Sequence, residues 1–523
     1  MTARGLVGRR GEALVVIALS LAAGAVWAWY VGEDTNWDWQ NYHEYNVGAL
    51  LTGRYAVDVV PAGLQTYFNP LIYLPPWLLR HALPSPVGAM IQGAVHGLNL
   101  ALVYGLTRTL LGPAATLSTL GAAVLIAATG AQTLAEVGTS LADILTALPV
   151  IAGLWLLLRG GQSRARDVIL GGILIGAAVG FKLTNVVFAM GAASAMLLSA
   201  RPTRSLALLA LGGMLGATLT GGAWSFIAWR DLGNPVFPLF NAVFHSPEVA
   251  DTNILDLTFV PRSAWDALTY PLQWLAGSGH TSEVPMRDAR FAVLMLLVPI
   301  CAVVAIVRRT VVFCRTDWQL LVAFAVSYGL WLLVFSIQRY IVALELLCGP
   351  VIVMAIVRMA AALGFSTAEG AITRGAGAAL AVAVAIAFWG QPANWWHRPW
   401  SSPYAPAPLD PALRAPATFF LLEKPLAYLV PRFPQQSRFF QLADIGLPIM
   451  PGGLFDHRIR AALAAPLAGG SWALHVKEHP LHDALLRPYG LKVDPMRSCV
   501  EIDSVLKEEA IEACPLTSAA GAG

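Results

Sequence analysis

The sequence predicts an all-α polytopic membrane bundle with a small exported α/β domain at its C-terminal end. Three observations carry that reading. Of the 523 residues, 57% are hydrophobic and only 12% charged, whereas soluble domains carry about a quarter charged residues. Eleven apolar stretches approach the roughly 20 residues that cross a bilayer as a helix. Near Pro392 the apolar character then gives way to alternating apolar and polar segments.

In chain order the apolar stretches lie near residues 13–30, 87–110, 114–131, 141–158, 168–181, 185–198, 206–229, 291–307, 320–335, 341–357 and 371–389. The two between 168 and 198 are short, which leaves tilted, broken or re-entrant geometry open. The basic start and Ala23-Gly24-Ala25 permit a cleaved signal peptide. The length of the first stretch and its closing Trp27, Trp29 and Tyr30 favour a retained span. Arg4, Arg9 and Arg10, then Arg159, Arg164 and Arg166, Arg201 and Arg204, Arg308, Arg309 and Arg315, and Arg358 all fall on one side if there are eleven crossings. The positive-inside rule makes that side cytoplasmic. The expected location is the bacterial inner membrane, with the N-terminus cytoplasmic and the tail periplasmic or otherwise exported.

The expected organisation is a transmembrane catalytic body over 1–390 with exported loops 31–86 and 230–290, an interfacial linker over 391–418, and an exported domain over 419–523. In that domain Trp472, Leu474 and Val476 alternate with Ala473, His475 and Lys477, the period of a half-buried strand. Residues 504–513 suit a brief helix and 519–523 a frayed end. Three roles remain open for the domain: a lid, an acceptor-binding module, or a support for the body. Cys499 and Cys514 both lie in the exported tail and are positioned to close one disulfide there. No CxxC pair, zinc spacing or haem motif is present.

Chemistry concentrates in the first loop, where Glu33, Asp34, Asn36, Asp38, Gln40, Asn41, Tyr42, His43 and Glu44 follow one another closely. An aromatic interfacial belt with solvating charges is the plain alternative, but acids, amides and a histidine are dense for that role. Asp34 and Asp38 are four residues apart, so a helical start would place both on one face. A carboxylate there can deprotonate or orient an acceptor hydroxyl, or bind a divalent cation. Asp38 is the first candidate and Asp34 the second. Tyr42, His43 and Glu44, with Arg54, Asp58 and Asn69 further along the loop, are candidate substrate contacts; no spacing establishes a metal.

Asp38-Trp39-Gln40-Asn41-Tyr42-His43 is followed by Gly53-Arg54, Asp58 and Gln65-Thr66-Tyr67-Phe68-Asn69-Pro70. An acid-bearing first exported loop, many further spans and an exported C-terminal domain resemble the GT-C superfamily of membrane glycosyltransferases. The nearest likeness is to poorly characterised bacterial members with an Asn-Tyr-His segment in that loop. The resemblance implies a GT-C-type bundle, a polyprenyl-phosphate sugar donor, and Asp38 as the first-loop catalytic carboxylate. The chain lacks an immediate Asp-Glu pair, which leaves Asp34 against Asp38, and dependence on a divalent metal, open.

Later outer turns supply candidate donor contacts. Lys182 interrupts two short apolar stretches, where an ammonium must reach water or an anion; it would meet a lipid phosphate or snorkel to headgroups. Glu136 and Asp143 border a neighbouring turn, as a polar rim or a solvated hairpin. In the long loop Arg287 and Arg290 are placed to neutralise a phosphate, with Asp288 fixing one guanidinium. Arg339 in Gln338-Arg339-Tyr340 would bind phosphate or pair with Asp38, Asp58 or Glu345, and Tyr340 would orient it or stack on a sugar.

The expected activity is glycosyl transfer from a polyprenyl-phosphate sugar to an envelope glycan, glycolipid or protein acceptor. Donor, acceptor and membrane lipids are the expected partners, with no nucleic acid and no certain cofactor beyond a possible divalent metal. A lipid-linked glycan transporter or flippase, and a non-catalytic envelope assembly protein, are the rival readings.

Overall fold

The computed structural model describes residues 3–159, 164–364, 368–400, 408–443, 447–479, 483–504 and 510–519. The side chains of Arg4 and Arg9, residues 403–407 of the proline-rich linker, residues 505–509 of the expected helix and residues 520–523 lie outside that description.

Each of the eleven apolar stretches forms a helix. They are α1 (Ala3–Val31), α2 (Ser85–Leu111), α3 (Leu117–Ala128), α4 (Ala142–Leu158), α5 (Ala165–Phe181), α6 (Val186–Leu197), α7 (Pro202–Ala217), α8 (Arg290–Arg308), α9 (Arg315–Val334), α10 (Val342–Ala362) and α11 (Ala368–Trp389). Helix is the expected outcome, because only intrahelical bonding satisfies the backbone of such a segment in hydrocarbon. Among the described residues, seven candidate spans are long and apolar enough to cross a membrane; α7 reaches that length by continuing through a π-turn to Leu232. Helices α3, α4, α5 and α6 are shorter, between 12 and 17 residues. The protein is a multi-pass membrane protein.

The chain divides into two compact units. The first comprises Met1–Gly32, Pro86–Gly222 and Leu255–His397; the second comprises Glu33–Ser85, Ala223–Ile254 and Arg398–Gly523. In the first unit α10 is almost wholly buried, with its Val, Ile and Leu side chains at the centre of one large apolar core. Helices α5 and α7 pack backbone to backbone. A Cβ on Gly176 would lie 2.0 Å from the Gly213 carbonyl oxygen, and one on Gly216 would lie 2.0 Å from that of Ile173. Glycine is the residue those crossings admit, the usual small-residue solution for helices packed in lipid.

The second unit centres on a mixed sheet of β1 (Thr418–Leu421), β2 (Arg438–Gln441), β3 (Ser471–Val476), β4 (Leu491–Val493), β5 (Val500–Ile502) and β6 (Ile511–Ser518). The order is β2-β1-β3-β6-β4, with β5 also paired to β6. Strand β1 is parallel to β2 and β3, while β6 runs antiparallel to β3, β4 and β5. Two expectations change here. Residues 472–476 are buried on both faces rather than one, as the interior strand of a sheet covered on both sides must be. Residues 511–513 belong to β6 rather than to a helix.

The first loop is built into this second unit. Val59 extends the sheet edge, its N–H donating to Phe439 O at 2.9 Å and its carbonyl accepting from Gln441 N at 3.1 Å. Val59, Val60 and Tyr67 share one apolar core with Phe420, Phe440, Phe455 and Ile459.

Candidate functional site

Asp34 and Asp38 do not share a helix face. Asp34 ends a two-residue strand, and its carboxylate accepts from Asn36 N at 3.0 Å and from Asn36 Nδ2 at 2.7 and 2.9 Å. Asn36 Oδ1 in turn accepts from Trp39 N at 2.8 Å, the bond of a helix N-cap to the third helical residue. The helix therefore starts after Asn36, leaving Asp34 outside and Asp38 in its first turn. Asp38 is buried and accepts from Tyr42 Oη, one turn later, at 3.3 Å.

The aromatic residues make an ordered wall around this turn. His43 stacks on Tyr73 at 4.0 Å between ring centroids, and Tyr42 meets Tyr73 edge-on at 5.4 Å. Glu44 pairs with His81 at 3.1 Å. Burial disfavours the His81 imidazolium, but the hydrogen bond and charge of Glu44 outweigh it and raise the pKa above the usual value. Asn69 caps a short turn, accepting from Leu71 N at 3.1 Å.

Arg54 and Asp58 form a buried staple. Arg54 Nε and Nη2 donate to the two Asp58 oxygens at 2.7 and 2.8 Å. Arg54 also donates to Gln435 O at 3.0 Å and Ser437 O at 2.8 Å, while Asp58 accepts from Phe439 N at 2.9 Å and Tyr45 Oη at 3.0 Å. Burial pushes the Asp58 carboxyl up, against the opposing pull of Arg54 and the other donors. These contacts tie the first loop to β2.

In the first unit, Lys182, Arg339 and Tyr340 come together. Lys182 Nζ lies 2.7 Å from both Asp143 oxygens and 4.3 Å from the centre of the Tyr340 ring. Arg339 pairs with Glu283 at 3.0 Å, a partner outside the three carboxylates considered from sequence, and its guanidinium lies 5.4 Å from the Tyr340 ring and 5.3 Å from that of Trp395. Glu136 and Asp143 are both buried, so their turn is no solvated hairpin. Burial holds the Glu136 carboxyl well above the ordinary range, Asp143 adding to the shift and Lys182 and Arg339 opposing it. Glu136 Oε2 accepts from Ile144 N at 2.9 Å, whereas Oε1 accepts no hydrogen bond among the described residues. Two cations, each paired with a carboxylate, thus oppose the upward shift that burial imposes on Glu136.

The other basic candidates separate. Arg287 is exposed, and its backbone pairs both ways with Gln391 at 3.0 Å. Arg290 is fully buried, bonded to Asp288 at 2.9 Å, Ile126 O at 2.8 Å and Thr129 Oγ1 at 2.9 Å. Glu345 accepts from Gln132 N, Thr133 N and Thr133 Oγ1, holding the start of the Ala131–Glu136 helix.

A potential metal-binding triad lies in the sheet. His475, Glu512 and Cys514 offer ligand atoms within 4.8 Å of one another, from cross-strand neighbours on β3 and β6. Cys514 is joined to Cys499, with Cα atoms 4.1 Å apart, so its sulfur is part of a disulfide. The triad was invisible in the sequence, because 37 residues separate His475 from Glu512 and only sheet register unites them. Tyr73, His81, Asp143 and Glu283 are likewise partners that tertiary structure selects.

No protein-family model and no curated protein matches the chain. A solved structure of ArnT from Cupriavidus metallidurans, bound to undecaprenyl phosphate, matches with a TM-score of 0.52, covering 98% of each chain at 13% identity. At that identity the likeness speaks to fold. The chain shares the fold of that structure, a largely helical membrane bundle with a smaller strand-containing C-terminal region.

Proposed function

We propose that the protein is a membrane glycosyltransferase that takes its sugar from a polyprenyl-phosphate donor and passes it to an envelope glycan, glycolipid or protein at the outer face of the bacterial inner membrane. The observation that carries the reading is the grouping of buried Arg339 with half-buried Lys182 and Tyr340, within a fold shared with a protein that binds a polyprenyl phosphate. The Lys182 and Arg339 side chains are only 14% and 10% exposed, and a departing phosphate monoester is a ligand that uses both cations.

In this proposal Asp143 and Glu283 orient the two cations. Two of the three Lys182 N–H groups go to Asp143, and an ammonium carries three. Asp38 orients or deprotonates the acceptor hydroxyl that attacks the anomeric carbon, as the C–O bond to the phosphate breaks and the phosphate leaves with the bonding pair. Asp34 is assigned to the turn, since both its oxygens hold Asn36. A disulfide between Cys499 and Cys514 suits an exported domain.

The test is incubation of the purified protein with polyprenyl-phosphate sugars differing in the sugar, with release of free polyprenyl phosphate as readout. Acceptor-dependent release from at least one donor supports the proposal. Transport of an intact lipid-linked glycan without release would replace it with the flippase reading.

A further inference from the structure

His475 sits in the interior strand β3 with 2% exposure, and its ring is pinned from one side. Nδ1 lies 2.8 Å from the Val476 carbonyl oxygen. A carbonyl only accepts, so Nδ1 donates in that contact, while Nε2 faces Cys514 and the Glu512 carboxylate, with which it shares a proton that a metal would replace. This is the arrangement that orients most metal-binding histidines: one ring nitrogen donating to a carbonyl, the other presented to the metal. Nε2 lies 3.2 Å from Glu512 Oε1 and 3.5 Å from Cys514 Sγ.

Those two separations from Nε2 suit a tetrahedral metal. With Zn–N and Zn–O near 2.1 Å and Zn–S near 2.3 Å, they correspond to N–Zn–O and N–Zn–S angles of about 100° and about 105°, close to the roughly 109° of a tetrahedron. The Glu512 oxygen and Cys514 Sγ lie within 4.8 Å of each other, and Glu512, the partly exposed member of the three, is the side chain that would close on the metal. What the cluster lacks is a thiolate, because Cys514 is bonded to Cys499. A disulfide sulfur has no charge to offer a metal, whereas a coordinating cysteine is a thiolate.

We infer that His475, Glu512 and Cys514 form a Zn²⁺ site opened and closed by the Cys499–Cys514 disulfide. A dithiol reductant provides two electrons and two protons. The Cys499–Cys514 bond breaks, both sulfurs become thiols, and the reductant closes to its own disulfide. Zn²⁺ then displaces the Cys514 thiol proton and the proton shared by Nε2 and Glu512 to solvent, and takes Sγ, Nε2 and a Glu512 oxygen, with water in the fourth position. Oxidation by a disulfide reverses the sequence: the S–S bond re-forms, the metal leaves and the oxidant is reduced to its thiols.

The test uses the purified full-length protein, stripped with a chelator and titrated with Zn²⁺ or with Co²⁺ as a coloured substitute. Cys499→Ser frees Cys514 without reductant. It is expected to take one Co²⁺ more per chain than Cys499→Ser/Cys514→Ser, with the near-ultraviolet sulfur-to-cobalt absorption that carboxylates and imidazoles do not give. The double variant corrects for the thiols at Cys301, Cys314 and Cys348. Glu512→Gln in the Cys499→Ser background is expected to weaken Zn²⁺ binding at least tenfold. A folded Cys499→Ser protein that binds no more cobalt than the double variant would overturn the inference. If the cysteine variants do not fold, reduced wild-type protein decides it: Zn²⁺ should slow alkylation of Cys514 at least tenfold, and an unchanged rate overturns the inference.

Discussion

Asp58→Ala is the perturbation whose consequence follows most directly from the contacts. The Asp58 carboxylate is fully buried and receives Arg54 Nε and Nη2, Tyr45 Oη and Phe439 N. Its removal leaves a buried guanidinium without a counter-charge, and stranding one member of a buried ion pair costs about 3–5 kcal/mol. Every 1.4 kcal/mol is a factor of about ten in an equilibrium constant, so the opened population of the second unit should rise by at least about a hundredfold. Pulse proteolysis in detergent, read by cleavage within residues 33–85 or 398–523, measures that population. Tyr45→Phe removes a single hydrogen bond to a charged group and should cost about 1.5–3 kcal/mol. Asp58→Asn keeps the shape but not the charge, and should fall between the two. If Asp58→Ala resisted proteolysis as well as wild type, the staple would not be holding the first loop to β2, and the structural role given to Arg54 and Asp58 would be wrong.

Further outcomes follow from the same geometry. Asp34→Asn should cost about 1 kcal/mol in thermal unfolding by weakening the Asn36 turn, while leaving sugar transfer within a few-fold of wild type; loss of transfer at unchanged stability would move catalysis to Asp34. Lys182→Gln and Arg339→Gln should each raise the KM for a polyprenyl-phosphate donor by about ten- to a hundredfold, the worth of one charge-assisted hydrogen bond, and an unchanged KM in both would remove them from donor binding. The pair between His81 and Glu44 carries a pH signature. Its raised pKa means the folded state holds the proton more tightly, so its contribution is complete below about pH 6.5 and is lost as pH rises through the raised value. Melting followed across that window should lose its pH dependence in His81→Gln; an identical profile in the variant would remove the pair as its source.

Much of the architecture was legible because its causes are local. An apolar run must be helical in lipid, and all eleven such stretches are helices. Length was less legible: α3 and α6 stop at 12 residues, where Thr129 and Leu198 close helices that the apolar composition alone would have extended. The first-loop helix was misplaced by spacing. Four residues separate Asp34 from Asp38, but Asn36 lies between them and has the strongest N-cap chemistry in the segment, a signal that could have set the boundary. The candidate site was legible only as an inventory. Lys182 with Asp143, Arg339 with Glu283 and Arg54 with the backbone at Ser437 are long-range pairings, and no periodicity encodes them. The same holds for His475, Glu512 and Cys514, which only the register of β3 against β6 assembles.

The central claim is transfer of a sugar through a first-loop carboxylate, and single-turnover transfer by Asp38→Asn tests it most directly. With donor loaded at saturation and labelled sugar followed into acceptor, the variant is expected to fold and bind donor as wild type does while transferring about 10²- to 10⁴-fold more slowly, the usual contribution of a general base. Transfer at the wild-type rate by a folded Asp38→Asn protein would contradict the account.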